Sequence, residues 1–123
     1  MKFAKLVYLV AGIYGLAVLS PQYFLESKNG ADFPPAINHP EYYYGFIGVA
    51  LAWQVAFLII SRDPGKYRPI MIAAVLEKFA YGIAVLILYR QSRVATAILV
   101  TGLIDLFWGA LFAVAYKKAG EGE

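Results

Sequence analysis

PIMIAAVLEKFAYGIAVLILY, residues 69–89, is the stretch that decides the fold. A helix needs about 20 apolar residues to cross a bilayer, and this run interrupts its apolar sequence with two charges, Glu77 and Lys78, near its middle. Three other runs pass the same length test, over residues 3–20, 41–61 and 94–116. Of the whole chain, 61% is hydrophobic and only 15% charged. A chain of this size needs far more polar side chains to cover a water-facing surface, so a soluble globule is excluded. Four unbroken runs also cannot supply the alternating strands of a membrane barrel. The expected fold is therefore all-α: residues 1–123 form a single integral-membrane domain, a four-transmembrane-helix bundle.

The links between the runs differ. Residues 62–68 and 90–93 are short and predict antiparallel neighbours. Residues 21–40 form a long loop with turn signals at Asn29-Gly30, Pro34-Pro35 and Asn38-His39-Pro40, and read either as a lid or as a connector held at the membrane surface by Tyr23, Phe24 and Phe33. Lys2 and Lys5 ahead of the first run resemble the start of a signal peptide, but the small-residue pair of a cleavage site is missing around Leu19-Ser20-Pro21, so the first run is expected to be retained. Lys2, Lys5, Arg62, Lys66, Arg68, Lys117 and Lys118 flank one side, against Lys28, Arg90 and Arg93 on the other. Cytoplasmic flanks collect positive charge, which predicts both termini in the cytoplasm, the long loop outside, and a multi-pass protein of the cell inner membrane. The same flanks account for the net charge of +3 without a nucleic-acid partner.

Ionisable groups at mid-bilayer cost about 2.5–3.5 kcal/mol each on insertion scales and generally face the bundle interior. Asp105 lies at the centre of the fourth run, and Lys78 and Glu77 lie within about 3 Å of the centre of the third. Trp53, Gln54 and Trp108 fall within about 4.5 Å of the same level. Helical spacing groups Ala73, Glu77, Ala80, Tyr81 and Ala84 on one face, Thr101, Asp105, Trp108, Gly109 and Phe112 on another, and Gly45, Gly48, Ala52 and Ala56 in a small-residue groove of the second run. Two acids stand against one base, so one carboxyl is expected to keep its proton near neutral pH, a state suited to proton donation. Glu77, Asp105 and Lys78 are the candidate catalytic groups. Trp53, Gln54, Tyr81 and Trp108 are the candidate ligand lining, and His39 and Glu41 mark an entrance at the mouth of the second run. The plainer reading is an ion-pair network that fixes helix register, with His39-Pro40-Glu41 an ordinary helix start.

Other chemistry is closed off. Without cysteine there is no thiolate zinc site, iron–sulfur cluster or thiol exchange, and one histidine cannot supply bis-histidine haem or paired Glu-x-x-His motifs. Phosphate loops and nucleophile elbows are absent, and no metal site is expected.

The four spans, the long first loop, the hinge Arg62-Asp63-Pro64-Gly65-Lys66-Tyr67-Arg68-Pro69 and the run Asp105-Leu106-Phe107-Trp108-Gly109 together resemble the DoxX-like superfamily of small four-helix bacterial membrane proteins. That resemblance spans residues 1–118 in architecture and implies a quinone-linked oxidoreductase subunit or accessory partner, with quinone as the candidate cofactor; it carries no catalytic set onto this chain. The arrangement of acids and tryptophans is also similar to that of sterol-isomerase-like membrane proteins. The sequence thus predicts a pocket for a quinone, isoprenoid or lipid-like molecule between the second, third and fourth runs, with membrane lipids as neighbours. The alternatives are a structural or assembly subunit of a membrane complex, and a small proton-coupled multidrug-type transporter working as a homo-oligomer, a dimer. An exporter of that kind usually carries an acid in its first helix, and this first run has none.

Overall fold

The computed structural model describes residues 2–122 and is all-helical across them. Five α-helices follow one another: α1 (Lys2–Leu19), α2 (Glu26–Asp32), α3 (Pro40–Arg62), α4 (Arg68–Arg90) and α5 (Thr96–Gly120). α1, α3, α4 and α5 are each long and apolar enough to cross a membrane, the make-up of a multi-pass membrane protein. Pro21 stops the α-helical pattern of α1 as expected, but the chain continues in a 3-10 turn (Ser20–Phe24) that extends the first candidate span to Phe24. α5 begins two residues later than predicted and runs four further. Lys117 and Lys118 lie in its last turn, where cations suit the helix dipole, and the chain leaves the helix at Gly122, whose φ is +74°.

The small residues set the pairing. α1 packs closely on α3, and α4 on α5, with α5 also touching α1. A Cβ on Gly12 would meet Leu58 at 2.6 Å and the backbone oxygen of Gln54 at 3.0 Å; one on Gly82 would meet Leu106 at 2.6 Å and the backbone oxygen of Gly102 at 3.0 Å. Both pairs therefore use glycine to bring backbones together, as membrane helices do where no hydrophobic force draws them. The expected neighbours α3 and α4 make only slight contact despite their short link, and meet through the long side chains Phe46 and Tyr81, 5.9 Å apart, and Lys78 and Phe57, 5.2 Å apart. The long connection instead joins the tightly packed pair α1–α3. Loop length limits which helices can pair, but packing chooses among them.

Rotation about two helices also differs from expectation. The buried face of α3 carries Ile47, Gln54, Phe57 and Ile60, while Gly45 and Ala52 of the predicted groove are exposed. The buried face of α4 carries Met71, Ala74, Lys78, Gly82 and Val85, so Lys78 lies at its centre and Glu77 at its edge; Ala80 and Ala84 face outward. In lipid, small and large apolar side chains are equally tolerated on the outside, so a small-residue stripe does not by itself identify the inner face. The core joins α1, α3 and α5 through Tyr8, Phe57 and Phe112, each 0% exposed, and α4 adds Met71 and Ala74. Tyr8 stacks on Phe112 at 4.2 Å, and Phe57 meets Phe112 edge-on at 4.9 Å.

Each end is tied by its own contacts. At the end carrying both chain termini, the Lys118 ammonium lies 5.3 Å from the centre of the Phe3 ring. There Arg68 also donates from Nε to the Tyr116 carbonyl at 2.9 Å while its guanidinium lies 3.8 Å above the Tyr116 ring. At the opposite end the expected loop contains α2. Asn29-Gly30, read as a turn, is helical: Asn29 donates to Gln22 Oε1 and to the Tyr43 hydroxyl, both at 2.9 Å, and Gly30 lets the backbone of Ala36 approach. Tyr43 in turn donates to the Gln22 carbonyl at 2.6 Å, and Tyr44 to Glu26 at 2.9 Å. Phe24 is 87% exposed and takes no part in this knot. A hydrogen bond of this kind is worth about 1 kcal/mol. Tyr43→Phe should therefore leave the four spans intact and increase proteolytic cutting between residues 26 and 39, read by limited digestion.

α4 ends in a turn whose geometry favours glycine but whose residue is Ser92, at φ +58°. Arg93 N–H reaches the Leu88 carbonyl and Ser92 N–H the Tyr89 carbonyl, both at 2.9 Å, the pattern of a Schellman cap. A left-handed serine costs about 1 kcal/mol. Ser92→Gly should accordingly raise the thermal midpoint in detergent, while an unchanged or lowered midpoint would count against the cap.

Candidate functional site

Lys78 organises the centre of the bundle. Only 7% of the residue is exposed, and its ammonium lies 3.8 Å from Glu77 Oε1 and 3.7 Å from Asp105 Oδ1. Both separations exceed the usual reach of a charged hydrogen bond, so the cation is caged between the two acids. Its remaining side faces α3, where the Phe57 ring centre lies 5.2 Å away in a cation–π contact. α4 supplies the base and one acid, α5 the other acid, and α3 the aromatic floor. Gly109 allows the approach, since a Cβ there would crowd Phe79 and the stem of Lys78 at 3.2–3.3 Å.

The two acids are less enclosed than the base. The Glu77 and Asp105 side chains are 20% and 24% exposed against 9% for Lys78. Glu77 Oε2 is itself buried and makes no hydrogen bond among the described residues. One helical turn away, at i+4 from Glu77 and i−4 from Asp105, the Tyr81 and Thr101 hydroxyls are joined at 2.8 Å, and Tyr81 packs beside Phe46 of α3 at 5.9 Å. The α4–α5 seam therefore presents two polar rungs, one charged and one neutral, with α3 beside them.

The other residues singled out from sequence lie elsewhere. Gln54 is 1% exposed, but it donates to the Ala50 carbonyl of its own helix at 2.8 Å and turns its unpaired Oε1 against Gly15 of α1. Trp108 packs toward α1, 6.1 Å from Tyr14, and against Phe112 at 6.3 Å. Trp53 stands behind Phe57, with the ring centres 6.2 Å apart. The structure thus gathers Glu77, Lys78 and Asp105, with Tyr81 one turn off, and disperses Gln54 and Trp108 to the α1 side. His39 precedes α3 and stacks on Tyr42 at 4.8 Å, with Nδ1 3.7 Å from Glu41; both side chains are well exposed at the end opposite the termini. Its backbone carbonyl accepts from the Tyr42 and Tyr43 N–H groups, which is the helix-start role.

Phe57 and Thr101 are the site residues that sequence reasoning did not select. Thr101 was legible from its spacing to Asp105. Phe57 was not, because an apolar residue on an apolar helix carries no signal of the cation above it.

Two open hollows lie away from the charges. One of about 340 Å³ lies beside α2, lined by Glu26, Gly30 and Ile37 among others, and one of about 220 Å³ lies between α4 and α5 at Ile72, Leu76 and Tyr116. Neither reaches Glu77, Lys78 or Asp105. Among the described residues, no three His, Cys, Asp or Glu side chains are grouped to hold a metal ion. Comparison of the chain with protein-family models, curated proteins and solved structures finds no match.

Proposed function

We propose that this is a multi-pass protein of the cell inner membrane that binds or transforms an amphipathic molecule at the Glu77–Lys78–Asp105 cluster, with one carboxyl of the pair handing over a proton. The supporting observation is the unequal enclosure of the cluster: the base is buried, while both acids reach the bundle surface at mid-span. A charge exposed to hydrocarbon is costly, so carboxyls placed there call for a polar partner or a proton. The apolar body of the ligand would lie along the α3–α4 side, where the helices make little contact and Phe46 and Tyr81 form a wall. The DoxX-like resemblance accords with an apolar ligand and is part of the same proposal.

The test is extraction of the detergent-purified protein followed by mass spectrometry of the organic-soluble fraction. The wild type should retain one amphipathic species at near-stoichiometric amount. Glu77→Gln/Asp105→Asn should lose that species while keeping its helical circular dichroism. Retention of bulk lipid only, by both proteins alike, overturns the reading. A second reading, a structural subunit of a membrane complex, draws on the filled aromatic core and on the distance of both hollows from the charges. It predicts instead a larger native assembly that survives the double substitution.

Orientation follows from the basic flanks, with both termini cytoplasmic. The chain has no cysteine, so single substitutions report cleanly. In intact cells, Ser27→Cys should react with a membrane-impermeant maleimide, and Glu121→Cys should react only after lysis. The reverse pattern would invert the topology.

A further inference from the structure

We infer that the polar end of the ligand is a cation, an amphiphilic ammonium, and that the cluster takes it up in exchange for one proton. The inference rests on the reading of the cluster as a ligand site and names its chemistry. Two carboxyls share one ammonium, so the cluster is electrically neutral only when it holds one further positive charge, whether a proton or a bound cation. The charged groups facing Glu77 are Lys78 on its own helix and Asp105 on α5; α3 offers Phe57, and the central turns of α1 and α3 contain no Asp, Glu, Lys, Arg or His. The unpaired atom is an acceptor, Glu77 Oε2, which asks for a donor or a positive charge. A quinone carbonyl can accept from the protonated carboxyl, but it carries no charge and cannot replace that proton as the counter-charge. Tyr81, one turn from Glu77, and Phe46, 5.9 Å from the Tyr81 ring, put two aromatic rings beside the seam, and aromatic rings attract cations. In the exchange the carboxyl O–H bond breaks, its proton passes to water, and the ammonium takes the place of that proton as counter-charge. No oxidant or co-reactant is needed.

The experiment uses the full chain in detergent with tetraphenylphosphonium as the lipophilic cation and a short-chain quinone as the comparison, both followed by equilibrium dialysis. Proton release is read with an indicator dye in weak buffer. The expected result is saturable binding of one cation per chain with about one proton released, and a loss of affinity of at least tenfold in Glu77→Gln and in Asp105→Asn. The wild-type proton count needs no variant to fold, and Gly45→Ala, where the added Cβ meets nothing within 4 Å, should bind as the wild type does. Saturable quinone binding that the two substitutions abolish, without cation binding, overturns this inference and leaves the ligand site standing. Absence of saturable binding by either probe overturns both. Cation binding without proton release, or binding that neither substitution weakens, overturns the exchange.

Discussion

Lys78→Leu is expected to destabilise the bundle by about 3–5 kcal/mol, the usual cost of removing one partner from a buried ion pair. The reason is the cage itself. Both carboxyls lie within 4 Å of the ammonium, and with the cation gone they repel each other in a medium that solvates neither. The magnitude depends on what remains, so the paired experiment carries the weight. Lys78→Leu combined with Glu77→Gln and Asp105→Asn removes all three charges together and should recover the wild-type midpoint or exceed it, because replacing a whole buried ion network by neutral groups is often neutral or stabilising. Glu77→Gln alone should cost about 1 kcal/mol or less, since Lys78 keeps Asp105 and the lost contact is longer than a hydrogen bond. Thermal unfolding in detergent, followed by circular dichroism, reads the whole series. A Lys78→Leu protein as stable as the wild type would show that the cation is not held as the geometry states.

Gly82→Val is the second large effect. Its new Cβ would fall 2.6 Å from Leu106 and 3.0 Å from the Gly102 carbonyl. Leu106 can rotate, but the carbonyl belongs to the backbone of α5 and can retreat only if the helix does. Overpacking of this kind costs about 1–3 kcal/mol. It should also cost ligand retention, because Lys78 lies one turn from Gly82 on the same face and Asp105 one turn from Gly102. Gly45→Ala is the matched control. A Cβ at Gly45 meets nothing within 4 Å, so alanine there should be neutral or stabilise α3 by up to about 1 kcal/mol through helix propensity alone. Equal effects at the two glycines would mean that close approach of α4 and α5 does not hold the seam together.

The same contrast explains which parts of the molecule were legible in the chain. Gly82 and Gly45 are identical letters on two apolar helices, yet one is a contact and the other an exposed position. The four spans were readable to within a few residues because length and apolarity answer to the bilayer thickness, a constraint that acts on each segment separately. The level of Glu77, Lys78 and Asp105 was readable for the same reason, since rise per residue converts sequence position to depth. Helix α2 was hidden because its stability comes from outside it, through the bonds of Asn29 to Gln22 and Tyr43.

What the sequence determined by itself, then, is the number of long apolar helices and the common level of the three charges. Tertiary structure alone decided the rotation of each helix and the choice of neighbours: that Lys78 faces inward and Glu77 the edge, that α1 pairs with α3 across the long connection, and that Gln54 and Trp108 belong to the α1 side. In water an amphipathic stripe would have announced those faces. Here both the interior and the surroundings are apolar, so hydropathy is nearly the same all round each helix, and only the close fit of glycine against backbone and the pairing of buried charge distinguish inside from outside.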